Sequence, residues 1–219
     1  MQIIDLGRRD YKEVWDLQKT LHARRVSGAI PNTLILVEHD PVITMGKSGK
    51  QGNVLFPVGS LKSKGVDFYH IERGGDATFH GPGQLVGYPI FNVKDGLAGI
   101  KSFIAHMEEA VIATLADFGI DGYVKEKMIG VWTQTGKICS IGIAVQRWVS
   151  FHGFALNVNT DLSYFDLIVP CGLKNVEMTS MERMLGQSVA MDKVRESAIA
   201  NFSKVFEQDV TSVCSGEIT

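Results

Sequence analysis

With 219 residues, 45% hydrophobic and 21% charged, the chain has the proportions of one globular domain with a sizeable core. A net charge of -2 leaves no global basic field and speaks against nucleic acid as a partner. No apolar run approaches the ~18 residues of a membrane span, and the basic N-terminal residues follow the short apolar run, the reverse of a secretory signal, so a cytoplasmic protein is expected.

Residues 3–6 read as a first strand, and Asp10-x-x-Glu13 then has the form of a helix N-cap with a carboxylate three residues on. Val14, Leu17 and Leu21 follow at helical spacing, and Gly28 and Pro31 end that helix. Residues 33–37 form a continuous apolar run of strand length. From 48 to 65 the chain is rich in Gly, Ser and Lys, which predicts a long surface loop with one short helical turn. Strands at 66–72 and 84–91 flank Arg73-Gly74-Gly75-Asp76-Ala77-Thr78-Phe79-His80-Gly81-Pro82-Gly83-Gln84. Its glycines and proline predict a shaped loop, either a tight turn or a wall where another group approaches the backbone closely.

Ile100, Phe103, Ile104, Met107, Val111, Leu115 and Phe118 recur at three and four, the clearest helix in the chain, with Gly119 as its stop. Strands are expected at 122–125, 129–133, 137–145 and 149–157, with a hairpin turn at Gln134-Thr135-Gly136. A short helical turn at 161–165 and a constrained loop at 168–173 follow. A last amphipathic helix starts near Asp192, and residues 210–219 read as a frayed tail. Sheet-rich middle and irregularly placed helices make the fold α+β: a single domain over 1–219, with a mixed or antiparallel sheet flanked by helices.

Cys171 lies between Pro170, which fixes the backbone, and Gly172, which frees it, a setting that suits a nucleophile on a scaffolded loop. An inert buried cysteine is the competing reading, since a reactive one needs a neighbour that favours the thiolate. Lys137 opens the strand Lys137-Ile138-Cys139-Ser140-Ile141-Gly142. Partly desolvated there, it would serve as a base; at a hairpin corner it would reach into water. Cys139 on the same face is a rival thiol. The three cysteines, Cys139, Cys171 and Cys214, have no metal-ligand spacing, and no disulfide framework, metal site or cofactor is expected. His80-Gly81 and His152-Gly153 are the two histidines in suggestive settings.

Taken together, these motifs resemble the octanoyltransferases of protein lipoylation, the lipoyl(octanoyl) transferase family. The segments that carry the likeness run in order from Glu38 to Gly172. They are His39-x-Pro41-Val42-x-Thr44-x-Gly46, the Arg73 to Gln84 stretch, Gly130-Val131-Trp132, Lys137-Ile138, Ser140-Ile141-Gly142, His152-Gly153 and Pro170-Cys171-Gly172. The resemblance implies a fold like the catalytic domain of biotin and lipoate protein ligases. It also implies transfer of an octanoyl group from octanoyl-acyl carrier protein to a lysine of lipoyl domains, those of 2-oxoacid dehydrogenases and the glycine cleavage H protein, by a monomer without ATP. Cys171 would be the nucleophile and Lys137 its partner. Arg73, Gly74, Gly75, Asp76, Ala77, Thr78, Phe79 and His80, with Ser140, Ile141 and Gly142 and with Gly153, Phe154 and Ala155, would line the substrate site. Cys139 stands where the family usually has a small residue. The competing functions are an ATP-dependent lipoate or biotin ligase, a non-catalytic module that binds carrier domains, and a cysteine hydrolase.

Overall fold

Asp10 caps the first helix as its position predicts: its side chain accepts hydrogen bonds from the backbone N–H groups of Lys12 and Glu13, and α1 runs Tyr11–Val26. The computed structural model that shows this describes residues 1–169 and 176–215. Strand β1 (Gln2–Arg9) precedes α1, and β2 (Thr33–His39) and β3 (Val42–Met45) follow it. A short helix α2 (Val58–Leu61) leads to β4 (Asp67–His70), β5 (Ala77–His80) and β6 (Gln84–Ile90). After α3 (Ile100–Ala116) come β7 (Tyr123–Lys125), β8 (Met128–Thr133), β9 (Gly136–Gln146) and β10 (Val149–Asn157). Helices α4 (Met181–Leu185) and α5 (Met191–Val205) and strand β11 (Ser212–Ser215) close the described chain.

Eight strands form one mixed sheet in the order β11-β1-β2-β6-β10-β9-β8-β7, with β1 parallel to both of its neighbours and the other pairs antiparallel. A second sheet, β4-β3-β5, stands beside it. The fold is α+β, with helices on both faces of the large sheet. On one face, Phe103, Met107 and Val111 of α3 and Val194, Ala198 and Phe202 of α5 pack on Leu34, Leu36, Leu85, Phe154 and Leu156. On the other, Val14, Leu17 and Leu21 of α1 cover Ile35, Val37, Val86 and Ala155. Strand β2 is thus buried from both sides, which is why its sequence is continuously apolar and does not alternate.

Three expectations are corrected. The stretch from Arg73 to Gln84 is not loop throughout: 77–80 form β5, paired antiparallel with β3 from Met45↔Ala77 to Val42↔His80. The 48–65 segment holds several short helical turns and buries Val54 and Leu61 in the core of the small sheet. Within the expected frayed tail, residues 212–215 instead form β11, parallel to β1 from Gln2↔Ser212 to Asp5↔Ser215, while 216–219 lie outside the described residues. Helix α4 carries too few residues to show periodicity, although Ser180 caps it and Gly186, at φ 68°, ends it. No helix among the described residues is long and apolar enough to cross a membrane.

Candidate active site

A cleft opens where the Arg73 stretch lies over β6, β9 and β10. Residues 73–78 and His80, residues 140–142 and residues 153–155 all wall it, so three stretches distant in sequence share one cavity. Phe79 is the exception in the list of expected contacts. Its ring turns to the opposite side of β5, as period-two alternation requires, and stacks on Tyr164 at 4.6 Å. The sequence reading did not include Tyr11, Ile71, Val86, Tyr88 and His152, which also line the cleft. Of these, His152, beside Gly153, and Tyr88, before Pro89, carried a local signal.

The cleft depends on backbones lying close together. Gly74 N–H donates to Ile143 O at 2.9 Å, which ties the Arg73 stretch directly to β9. A Cβ on Gly153 would lie 2.0 Å from Gly87 O, and one on Gly142 would lie 3.1 Å from both Arg73 Cδ and Gly74 O.

Arg73 points inward. Its Nη2 donates to Thr44 O at 2.7 Å and Thr44 Oγ1 at 3.1 Å, and its Nη1 donates to Gly74 O at 3.1 Å. The Thr44 hydroxyl lies 3.5 Å from His80 Nε2, and His80 Nδ1 donates to Gln84 Oε1 at 2.9 Å. Gln84 Nε2 donates to Asn157 Oδ1, and Asn157 Nδ2 to Thr179 O, both at 2.9 Å. Thr179 N–H then donates to Lys137 O at 3.0 Å. A buried polar chain therefore runs from the glycine stretch to the head of β9, and such a chain is rigid only when each member is satisfied.

Burial pushes His80 down to about 3, helped by neighbouring His39, and burial takes His39 down to about 4. Both are neutral in the folded protein at any pH near neutrality, whereas the unfolded chain takes up protons below 6.5. Stability is therefore full above that value and falls as pH drops toward the folded-state values, by about 1.4 kcal/mol per unit for each histidine. Two histidines give a loss of about 3 kcal/mol at pH 5.5. His80→Gln, which keeps a hydrogen-bonding side chain, should lower the measured slope by one histidine's share, up to about 1.4 kcal/mol per pH unit, in denaturant titrations between pH 5 and 7; an unchanged slope would remove His80 as a source.

His152 adopts φ 58° in the interior of β10, a left-handed conformation that costs about 1–2 kcal/mol in a non-glycine residue. Its backbone N–H donates to Gln18 Oε1 at 2.8 Å, and its ring approaches Glu72 Oε2 at 3.3 Å through Nε2. The Trp15 indole N–H donates to the same carboxylate oxygen at 3.0 Å. The His152 contact first, then Glu72's own backbone N–H and the charge of Lys19, hold Glu72 down at about 2 against the opposing effect of burial. Helix α1 thus braces a strained point in the cleft floor.

Lys137 is buried, and of the two readings open to it the desolvated one is what the structure shows. Its Nζ donates to Ile129 O at 2.9 Å and lies 5.5 Å from the Trp132 ring. Its backbone N–H donates to Glu177 O at 2.8 Å. The chain after residue 175 is therefore fastened to the Lys137 strand, and before residue 170 it is fastened by Val169 N–H to Asn53 O at 2.7 Å. Asn53 Nδ2 also donates to Asp76 in the cleft wall. Cys171 lies outside the described residues. The rival thiol is inert: burial pushes Cys139 up to about 12, and its Sγ lies 3.6 Å from Ser140 O.

The sequence profile of the lipoyl protein ligase A/B catalytic domain matches residues 10–203. The chain belongs to that family. Curated relatives sharpen the placement: an octanoyltransferase of Syntrophobacter fumaroxidans is 45% identical over 94% of this chain and 91% of its own length. Another, from Dictyoglomus thermophilum, is 46% identical over 94% of this chain and 88% of its own. Among solved structures, the bi-partite lipoate protein ligase of Thermoplasma acidophilum superposes with a TM-score of 0.76 over 100% of this chain and 87% of that one, at 19% identity. That likeness establishes the lipoate ligase catalytic-domain fold.

Proposed function

We propose that this protein is an octanoyltransferase of protein lipoylation working through an acyl-cysteine intermediate, a reading carried by its 45% identity to a relative of that name over nearly the whole chain. In the first step the Cys171 thiolate attacks the thioester carbonyl of octanoyl-acyl carrier protein. The pantetheine sulfur leaves and takes up a proton, and one thioester replaces another, so no ATP is needed. In the second step a lysine amine of a lipoyl domain attacks acyl-Cys171, loses its proton, and leaves an amide and the free cysteine. Lys137 favours the thiolate as a cation; after yielding its proton to the departing pantetheine sulfur it is, as a free amine, the candidate acceptor for the incoming amine's proton.

The cleft suits an acyl chain. Glycine backbones and apolar side chains make most of its wall, and its one arginine is turned to Thr44 and Gly74. A ligase would need to hold an adenylate, and its phosphate would find that guanidinium already engaged. The test is to incubate the protein with octanoyl-acyl carrier protein without ATP, weigh the intact chain, and then add a lipoyl domain. An octanoyl adduct that discharges onto the domain supports transfer; octanoylation that requires ATP overturns it. Lys137→Ala is expected to slow adduct formation by about 10²- to 10³-fold, and an unchanged rate would remove Lys137 from the mechanism.

A further inference from the structure

The peptide group joining Ile129 to Gly130 is engaged at both ends. Its carbonyl accepts from Lys137 Nζ at 2.9 Å, and its N–H donates to Glu108 Oε1 at 2.9 Å. Glu108 comes from α3, the helix packed over this part of the sheet, and its carboxylate is only partly exposed. Burial raises its pKa, while the Gly130 N–H and the charge of Lys137 act in the opposite sense. The arrangement requires glycine at 130. The residue sits at φ 121°, and a Cβ there would lie 2.5 Å from Cys139 O and 2.6 Å from Lys137 Cε. Only a bare backbone can turn one peptide toward the carboxylate and the amine together.

We propose that Glu108 is a positioning residue for the Lys137 amine, acting through the Ile129–Gly130 peptide. An anion accepting from the peptide N–H pushes electron density onto the carbonyl oxygen, which becomes the stronger acceptor for a cation on its other side. Behind that carbonyl the carboxylate also favours a positive charge in front of it. The Lys137 amine is thereby held in place, where its charge would support a neighbouring thiolate. Among the described residues, the other groups near the amine carry no negative charge: the Cys139 thiol is neutral, the Trp132 ring is uncharged, and the Lys125 amine, 4.9 Å from that ring, is itself a cation. Glu177 meets Lys137 through its backbone carbonyl. The inference rests on the reading that Lys137 works with Cys171.

Glu108→Gln tests it, because glutamine keeps an acceptor for the Gly130 N–H and removes only the charge. Single-turnover acylation by octanoyl-acyl carrier protein should slow about 3- to 10-fold with the donor's KM unchanged. The Cys171 thiolate, followed by ultraviolet absorbance against Cys171→Ser, should form about half a pH unit to one unit higher. A merely structural Glu108 would be rescued by glutamine, so wild-type rate and thiolate titration in Glu108→Gln overturn the proposal. The double variant Glu108→Gln/Lys137→Ala guards against a general loss of stability: it should acylate no more slowly than Lys137→Ala alone, and a further independent loss overturns the coupling. Lys137→Ala at wild-type rate would overturn the dyad and this inference with it. A slow Lys137→Ala beside a wild-type Glu108→Gln would overturn the inference alone.

Discussion

Cys171→Ala is expected to fold as wild type and to accept no octanoyl group, with transfer to a lipoyl domain down by more than about 10³-fold. The effect is large because in the proposed route two steps pass through one sulfur: without it the lysine amine would have to attack the carrier-bound thioester directly, with both proteins docked at once. Cys171→Ser should retain a trace of acylation as an oxygen ester that discharges slowly, since a serine hydroxyl gains far less than a thiol from a cationic neighbour. Two controls come from the structure. Cys214 is exposed on β11, far along the chain from the cleft wall, and Cys139 is buried with its thiol pushed up to about 12. Cys214→Ser and Cys139→Ala should therefore carry the same adduct as wild type by intact mass. An adduct that survives Cys171→Ala and maps to either of them would overturn the assignment of the nucleophile.

Much of this was open to a reader of the sequence, for identifiable reasons. Helix α3 announces itself because seven apolar residues recur at helical spacing, and α1 because Asp10 can cap only if a helix starts there. The cleft wall was legible as motifs, yet nothing in Arg73-Gly74-Gly75 says that Gly74 will bond to Ile143 on a strand far along the chain. Strand β5 was hidden by its neighbours: Ala77 to His80 sit among glycines, and only pairing with β3 makes them a strand. Strand β11 was hidden for the same reason, since Ser212, Val213 and Cys214 are exposed and too few to show a pattern, and they gain order by pairing with β1. Glu108 was the least visible. On a helix full of core residues it reads as a solvated carboxylate, and its significance lies in one backbone N–H on β8.

Gly153→Ala is expected to be the most destabilising single methyl in the cleft, costing about 5 kcal/mol and lowering Tm by about 10–20 °C for a chain of this size. Its Cβ would fall 2.0 Å from Gly87 O and 2.7 Å from Pro89 Cδ, and the first obstacle is backbone, which no rotamer change can move aside. Retreat is also blocked. Residue 152 already holds φ 58° against Gln18 and Glu72, residue 153 is paired with Gly142 on β9, and Phe154 fills the space over Gly87. Shifting β10 would break its contacts with β6 and β9 together and would open the floor of the cleft. Gly74→Ala makes the opposite case within the same wall, because its nearest neighbour would be Ile143 O at 3.7 Å, an ordinary contact. It should melt within about 2 °C of wild type. Gly75→Val falls between them: φ 86° costs about 1–2 kcal/mol, and the new Cβ would lie 3.4 Å from Arg73 Nη1, at the start of the polar chain that ends on Lys137. Thermal melts of the three variants should rank Gly74→Ala, Gly75→Val, Gly153→Ala from mild to severe. If Gly153→Ala melts with Gly74→Ala, close backbone approach is not what holds the cleft together, and the glycines there serve only to turn the chain.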